Sequence, residues 1–351
     1  MTTDQARLEA FLHKMVYEMG AAAIGSLVLL GDKLGLYKTI AQAGPITAEQ
    51  LARQTGTSER YVREWLSAQA AAGYVEYDPA SQTFAMTPEQ AAVLANAGSP
   101  FFMPGGYHAV ASLYMDEPRV TDAFRSGNGV GWHEHSACLF CGTERFFGPT
   151  YRAFLVDAWI PALEGVQEKL SGGATVADVG CGHGLTTLLM ARAFPNSRFF
   201  GFDYHDGSIE RARELATEQG LGNVEFHVSE AKIYPGDRYE LVTFFDCLHD
   251  MGDPVGAARH VRETLSEDGT WLIVEPLAGD RLEENLHPLG RVYYSFSTMV
   301  CTPASLSQEV GLALGAQAGE ARLREVVMAG GFRRVRRATE TPTNMVLEAR
   351  P

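Results

Sequence analysis

The sequence is short of positive charge. It has 29 Lys and Arg against 43 Asp and Glu, for a formal net charge of −14. A surface of that sign repels phosphate backbones and argues against a general nucleic-acid binder. Cysteine is sparse and odd in number, with five residues at 138, 141, 181, 247 and 301. A chain of 351 residues can bury a core without disulfide staples, so reduced thiols are expected. Long apolar runs are missing too. The most apolar window, 21–30, is shorter than the roughly 20 residues needed to cross a bilayer. Residues 1–20 include Asp4, Glu9 and Glu18 and lack the apolar stretch of a signal peptide. These absences lead to the expectation of a cytoplasmic protein with no membrane partner.

What is present is ordinary globular material, 46% hydrophobic and 21% charged. At about 100–200 residues per domain the length implies two domains. Residues 1–98 read as mostly helical. Thr47 and Gln50 form a capping box that starts a helix running to Arg53. A turn at 56–58 leads to a second helix over 59–72, stopped by Gly73. Two β-like runs, 74–77 and 82–86, follow, and Pro88 opens a further helix. Helix, turn, helix and hairpin is a winged-helix layout. Residues 99–165, rich in Gly, Pro, aromatics and His, read as a helical connector with loops that could line a pocket.

From 166 to 351 the rhythm becomes strand–helix–strand. Apolar β-like runs fall at 175–179, 198–203, 224–228, 241–246 and 271–275. Helical stretches lie at 185–193, 208–219 and 255–265. This alternation predicts an α/β fold, a doubly wound Rossmann-like sheet. Residues 276–320 break the rhythm as an insertion. A last helix over 320–328 precedes two β-like runs, 332–338 and 344–349, that suggest a terminal hairpin.

The first of these strands runs into VADVGCGHG, residues 176–184. A dinucleotide fingerprint needs a glycine where Leu185 stands, and a phosphate-binding P-loop needs a lysine that is not there. What remains is Asp178, followed by Gly180, Gly182 and Gly184. The glycines let backbone approach a ligand closely, and the acid suits a cofactor with a cationic amino group. Asp203 ends the next strand, where a carboxylate can accept from both hydroxyls of a ribose. Glu230, after the third strand, could accept from an adenine amino group.

Asp178-x-Gly180-x-Gly182-x-Gly184, then Asp203, then Glu230-Ala231, resembles the cofactor site of class I methyltransferases, which use S-adenosylmethionine. The run 245–253, FDCLHDMGD, with 269–276, GTWLIVEP, resembles the small-molecule O-methyltransferases. Those enzymes join an N-terminal winged-helix dimerisation domain to this core. The similarity covers residues from about 30 to 95 and from 171 to 351, and the chain resembles most a bacterial subgroup whose substrate is often unassigned. The resemblance implies a seven-stranded core, a homodimer and in-line methyl transfer to a small-molecule acceptor, with oxygen the first choice. It assigns the cofactor to Asp178, Gly180, Cys181, Gly182, Gly184, Asp203, Tyr204, Glu230, Ala231 and Phe245. It makes His249 the general base and Glu275 the acid that orients it. One departure is Gln317, which falls near a further acid of plant-type enzymes.

Substrate contacts are expected from Trp132, His133 and His135, from Tyr107, and from Met299 in the run 293–301. The stretch 132–141 also holds two His and two Cys, but they are too closely spaced for a structural zinc site, and no metal is expected. Cys181 reads as a small residue rather than a nucleophile. The rival function is a ligand-sensing transcriptional regulator with a degenerate core. Its second helix would enter DNA, yet Arg60 and Arg63 there are balanced by Glu59 and Glu64.

Overall fold

The computed structural model describes residues 3–351. It resolves into two compact units. One comprises Met1–Ser112 with Ala137–Thr150, the other Leu113–Ser136 with Tyr151–Pro351. By this division residues 99–165 fall partly in each unit. They are shared between the units because two long helices, each taken up partly by one unit and partly by the other, run through them.

The first unit begins with α1 (Gln5–Lys33), capped by the Asp4 side chain on the Arg7 N–H. Its length corrects the expectation from window 21–30. Phe11, Leu12, Met15 and Val16 extend the apolar pattern toward the N-terminus and are exposed. By length and composition alone α1 could cross a membrane. Next come α2 (Leu36–Ala43), α3 (Ala48–Thr55) and α4 (Glu59–Ala71). The Thr47–Gln50 capping box forms as expected, and so does a second, Thr87–Gln90, at the start of α5 (Pro88–Leu94). Each cap contributes about 1 kcal/mol. Between α4 and α5 lies a short antiparallel hairpin, β1 (Glu76–Asp78) and β2 (Thr83–Ala85). Leu36, Ile40, Leu51, Trp65 and Leu66 form the core of this winged-helix unit. On α4, Arg60 pairs with Glu64 and Arg63 with Glu59 along the helix surface, so neither guanidinium is an unbalanced charge. Asp32 of α1 is gripped by both terminal nitrogens of Arg145, at 2.7 and 3.0 Å.

Two helices, α6 (Pro104–Ser126) and α7 (Ala137–Phe154), carry the chain onward. The second unit continues with α8 (Val166–Gly172), β3 (Thr175–Val179), α9 (Leu185–Ala193), β4 (Arg198–Asp203), α10 (Asp206–Glu218), β5 (Val224–Val228) and β6 (Tyr239–Phe245). It ends with α11 (Pro254–Thr264), β7 (Leu265–Pro276), α12 (Pro288–Phe296), α13 (Thr302–Leu306), α14 (Gly319–Ala329), β8 (Arg334–Glu340) and β9 (Asn344–Arg350). The strands form one seven-stranded sheet in the order β5-β4-β3-β6-β7-β9-β8. Strands β5 to β7 are parallel, and the terminal hairpin adds β9 and β8 antiparallel. Central strands are buried on both faces, as in Val176, Val242 and Leu272, and so read as continuous apolar runs. The chain reverses direction of growth between β3 and β6. That is the switch point at which open α/β sheets bind ligands, beyond the carboxyl ends of the strands.

Candidate active site

The glycine turn follows β3 and His249 follows β6, so both sit at the switch point. Gly180, Gly182 and Gly184 all have positive φ, 73°, 53° and 79°. At Gly184 a Cβ would lie 2.6 Å from the Phe226 ring, and at Gly180 it would lie 2.8 Å from Cys247 Sγ. At Gly182 it would meet nothing within 4 Å. The outer glycines are thus demanded by packing and the middle one borders open space.

Asp178 is buried and its carboxylate accepts three side-chain hydrogen bonds. Oδ2 accepts from the hydroxyls of Thr186 (2.7 Å) and Thr187 (2.6 Å), and Oδ1 from Thr243 (2.9 Å). It ties the first turn of α9 to β6 and so fixes the shape of the turn. Burial raises its pKa despite these donors. Asp203 takes a different place. Its two oxygens accept backbone N–H bonds from Gly182 and His205, each 2.9 Å. One lone pair on each oxygen remains for further donors, as a ribose diol would supply. Cys181 is buried, Glu230 is exposed beyond β5, and Ala231 is half-buried. Tyr204 is exposed and meets the edge of the His133 ring, with centroids 6.2 Å apart. Phe245 lies in an aromatic cluster with Tyr151 and Trp159.

His249 occupies a tight turn directly after β6 and is 4% exposed. Its Nδ1 is 2.5 Å from Glu275 Oε2, and Glu275 Oε1 accepts from the Leu248 N–H at 2.9 Å. Glu275 comes from β7, which pairs in parallel with β6. The other ring nitrogen, Nε2, is 3.2 Å from Asp250 Oδ1. An imidazole lone pair and a carboxylate oxygen cannot face each other at that distance without a proton between them. Burial works against a charged imidazole, but Asp250 and Glu275 together outweigh it and raise the pKa well above the ordinary value. Cys301 joins the group, and burial pushes its thiol up to about 12. Asp246, between β6 and the turn, adopts a left-handed φ of 49°. It accepts from the Tyr151 hydroxyl (2.6 Å) and the Asn344 amide (2.8 Å), and burial beside Glu275 pushes its pKa up to about 7.

A second imidazole–carboxylate pair lies in residues 113–136. His135 Nδ1 is 3.1 Å from Asp116 Oδ2, and both Asp116 oxygens accept from the Ser136 N–H. The ring is buried, and its Nε2 has no hydrogen-bond partner. Trp132 is half-buried and His133 exposed beside it, while Met299 is half-buried in the turn Ser297–Cys301. Tyr107 belongs to the first unit, where its hydroxyl bonds that of Tyr74 at 3.1 Å. A surface groove lined by Val156, Asp157, Pro161 and Asn196 contains none of these groups.

Residues 170–318 match the family model of a methyltransferase domain, and residues 22–96 match that of the Rv2258c-like winged HTH domain. The mitomycin biosynthesis 6-O-methyltransferase of Streptomyces lavendulae is 26% identical over 256 residues, covering 68% of this chain and 70% of that protein. The chain is an S-adenosylmethionine-dependent methyltransferase. Among solved structures, mitomycin 7-O-methyltransferase MmcR superposes on this methyltransferase with a TM-score of 0.70 at 22% identity, over 99% of this chain and all of that one (100%). CalO1, a methyltransferase of calicheamicin biosynthesis solved with S-adenosylhomocysteine, gives 0.67 at 19%, over 100% of both chains. These likenesses confirm the fold and the winged-helix arrangement expected from the sequence.

Sequence reading of this methyltransferase gave no role to Asp116, Asp246, Asp250 or the threonines that clasp Asp178, and took Cys301 only as part of a possible pocket wall. Asp250 stood next to the expected base and could have been found from that adjacency. Asp116 lies 19 positions from its partner His135, and nothing in the local pattern signals the pairing.

Proposed function

We propose that this methyltransferase methylates a hydroxyl oxygen of a small molecule, with His249 accepting the acceptor's proton and Glu275 orienting the ring. The observation that carries this reading is the 2.5 Å contact between His249 Nδ1 and Glu275 Oε2 at the switch point. A proton on Nδ1 held by Glu275 leaves Nε2, once its own proton has departed, to act as the general base.

S-adenosylmethionine supplies, when bound, a methyl group on a positively charged sulfur. The residues at the turn fit it. Asp203 keeps lone pairs available for ribose hydroxyls, Gly182 borders open space, and Tyr204 and Glu230 lie exposed at neighbouring strand ends. Gly180, Gly184, Cys181 and Asp178 shape the turn, and Ala231 and Phe245 complete its surroundings. An acceptor hydroxyl takes the position that Asp250 holds at His249 Nε2 and passes its proton to that nitrogen. Trp132, His133, His135 and Met299 supply the acceptor's contacts. His135 is the strongest of them, because its buried Nε2 lacks a partner. Tyr107 is the weakest, being engaged with Tyr74.

The same reading holds that the protein is a cytoplasmic homodimer with no nucleic-acid or membrane partner. Exposed Phe11, Leu12, Met15, Val16 and Tyr17 on α1 support a second subunit there. A monomer in sedimentation at micromolar concentration would contradict the dimer.

The test of the reaction is incubation of the purified chain with methyl-labelled S-adenosylmethionine and a deproteinised metabolite extract. The label should appear as a methyl ether or ester, and His249→Ala should abolish it. Label found only on nitrogen, sulfur or carbon would refute the oxygen acceptor.

A further inference from the structure

We propose that His249, Asp250 and Cys301 form a binding site for a zinc-type divalent cation, which competes with the proton for His249 Nε2. The competition bears on His249 as the base, and so rests on the function proposed above; binding itself does not.

Among the described residues these three bring their donor atoms within 4.8 Å of one another. Two ligands about 2.0–2.1 Å from a tetrahedral ion lie about 3.3 Å apart. His249 Nε2 and Asp250 Oδ1 are separated by 3.2 Å, so an ion can seat against both without moving either. An imidazole, a carboxylate and a thiol suit zinc or cobalt better than magnesium or calcium, which prefer oxygen alone. Three protein ligands leave a fourth position of a tetrahedral ion open.

The surroundings of the cluster also match a metal site. A metal-bound histidine almost always donates its other ring N–H to a carboxylate, which fixes the ring. Glu275 does this for His249, and is itself pinned by the Leu248 N–H. Asp250 Oδ1 is shielded from solvent and faces the His249 ring. The ion pairs of Asp250 and Glu275 among the described residues run to His249, one imidazolium facing two acids. Exchanging two protons for a divalent ion leaves the net charge of this group unchanged. Cys301 closes a π-helical turn, Ser297–Cys301, an irregularity that frequently marks functional sites.

Binding is a ligand exchange without redox change. The Nε2–H and Sγ–H bonds break, metal–nitrogen and metal–sulfur bonds form, and two protons leave to solvent. Affinity must therefore climb with pH.

Cobalt(II) titration of the untagged full chain tests this without any substrate. The expected result is one ion per chain with visible bands of a four-coordinate site and a near-ultraviolet thiolate-to-cobalt band. That band should vanish in Cys301→Ser and persist in Cys141→Ser, whose thiol is exposed in the other unit. Asp250→Asn should weaken binding with the thiolate band retained, which separates ligand loss from misfolding. Glu275→Gln should weaken binding about 10–100-fold. Between pH 6 and 8 affinity should rise by up to about 100-fold per unit as two protons are displaced. Absence of any band at millimolar cobalt, or a band that survives Cys301→Ser, would overturn the site. Affinity independent of pH would overturn the competition. Failure of His249 as base would appear elsewhere, as methyl transfer indifferent to His249→Ala.

Discussion

Glu275 reaches from β7 to His249, the residue four places beyond the end of β6, and holds Nδ1 at 2.5 Å. On the opposite side Asp250 stands 3.2 Å from Nε2. The two acids make the ring a proton store in the resting state, so transfer should need that proton to leave. Turnover on an oxygen acceptor should rise with pH along a limb displaced above the ordinary histidine value of about 6.5. A flat profile from pH 6 to 9 would remove His249 from the rate-determining proton transfer.

The same raised pKa affects stability. The folded state holds the His249 proton more tightly than the unfolded chain does. The resulting stabilisation is fully present below the unfolded value and is lost as pH rises through the folded one. His249→Gln should therefore cost more stability at pH 6 than at pH 9 in urea unfolding. An equal cost at both pH values would contradict the charged resting state.

Asp246 acts with the same sign, in a lower pH window. Its pKa is pushed up to about 7 by burial and by Glu275, against an unfolded value of 3.8. Between those values the unfolded chain ionises while the folded one keeps its proton, so stability falls as pH rises. Asp246→Asn, which can still bond Tyr151 and Asn344, should remove that part of the decline. The drop in melting temperature from pH 5 to pH 8 should be smaller in the variant than in the parent. An unchanged drop would mean that Asp246 is ionised in the fold.

The three glycines of the turn should separate packing from ligand access. Gly184→Ala forces a Cβ to 2.6 Å from Phe226 at a φ of 79° and should cost about 2 kcal/mol or more in unfolding. Gly182→Ala meets no protein atom and should cost only the backbone strain, about 1 kcal/mol. Its methyl group would occupy space at the ligand edge, so S-adenosylhomocysteine binding should suffer more than stability does. Equal stability losses at the two positions would contradict this division.

His135 offers a test of acceptor recognition. His135→Ala should leave S-adenosylhomocysteine affinity within about twofold and raise the acceptor KM by about tenfold, the worth of one buried hydrogen bond. A KM unchanged in the variant would assign the Asp116–His135 pair to holding residues 113–136 in place.

Much of this was legible in the sequence because it is local. The apolar runs of β3, β4 and β5 and the helix Leu185–Ala193 fall where periodicity puts them. The capping boxes at Thr47 and Thr87 depend only on residues three apart. The glycine spacing rejected phosphate-binding patterns, and Asp203 stands at the strand end where its register required. What was hidden depends on distant pairing. The bonds from Thr186, Thr187 and Thr243 to the Asp178 carboxylate were not visible in the sequence, because only the packing of α9 on β6 brings them together. The helical period of residues 99–165 was obscured by Pro118 and Pro149, which lie inside the two continuous helices that pass through them. Cys301 is set beside His249 by a π-turn that has no short-range signature.

The most direct measurement is calorimetric titration of the purified chain with S-adenosylhomocysteine, with NAD as a control. The account predicts micromolar binding of S-adenosylhomocysteine alone, abolished by Asp203→Ala, because that residue ties Gly182 to the ribose position. No binding of S-adenosylhomocysteine, or binding unaffected by Asp203→Ala, would contradict the assignment of the glycine turn as the cofactor site.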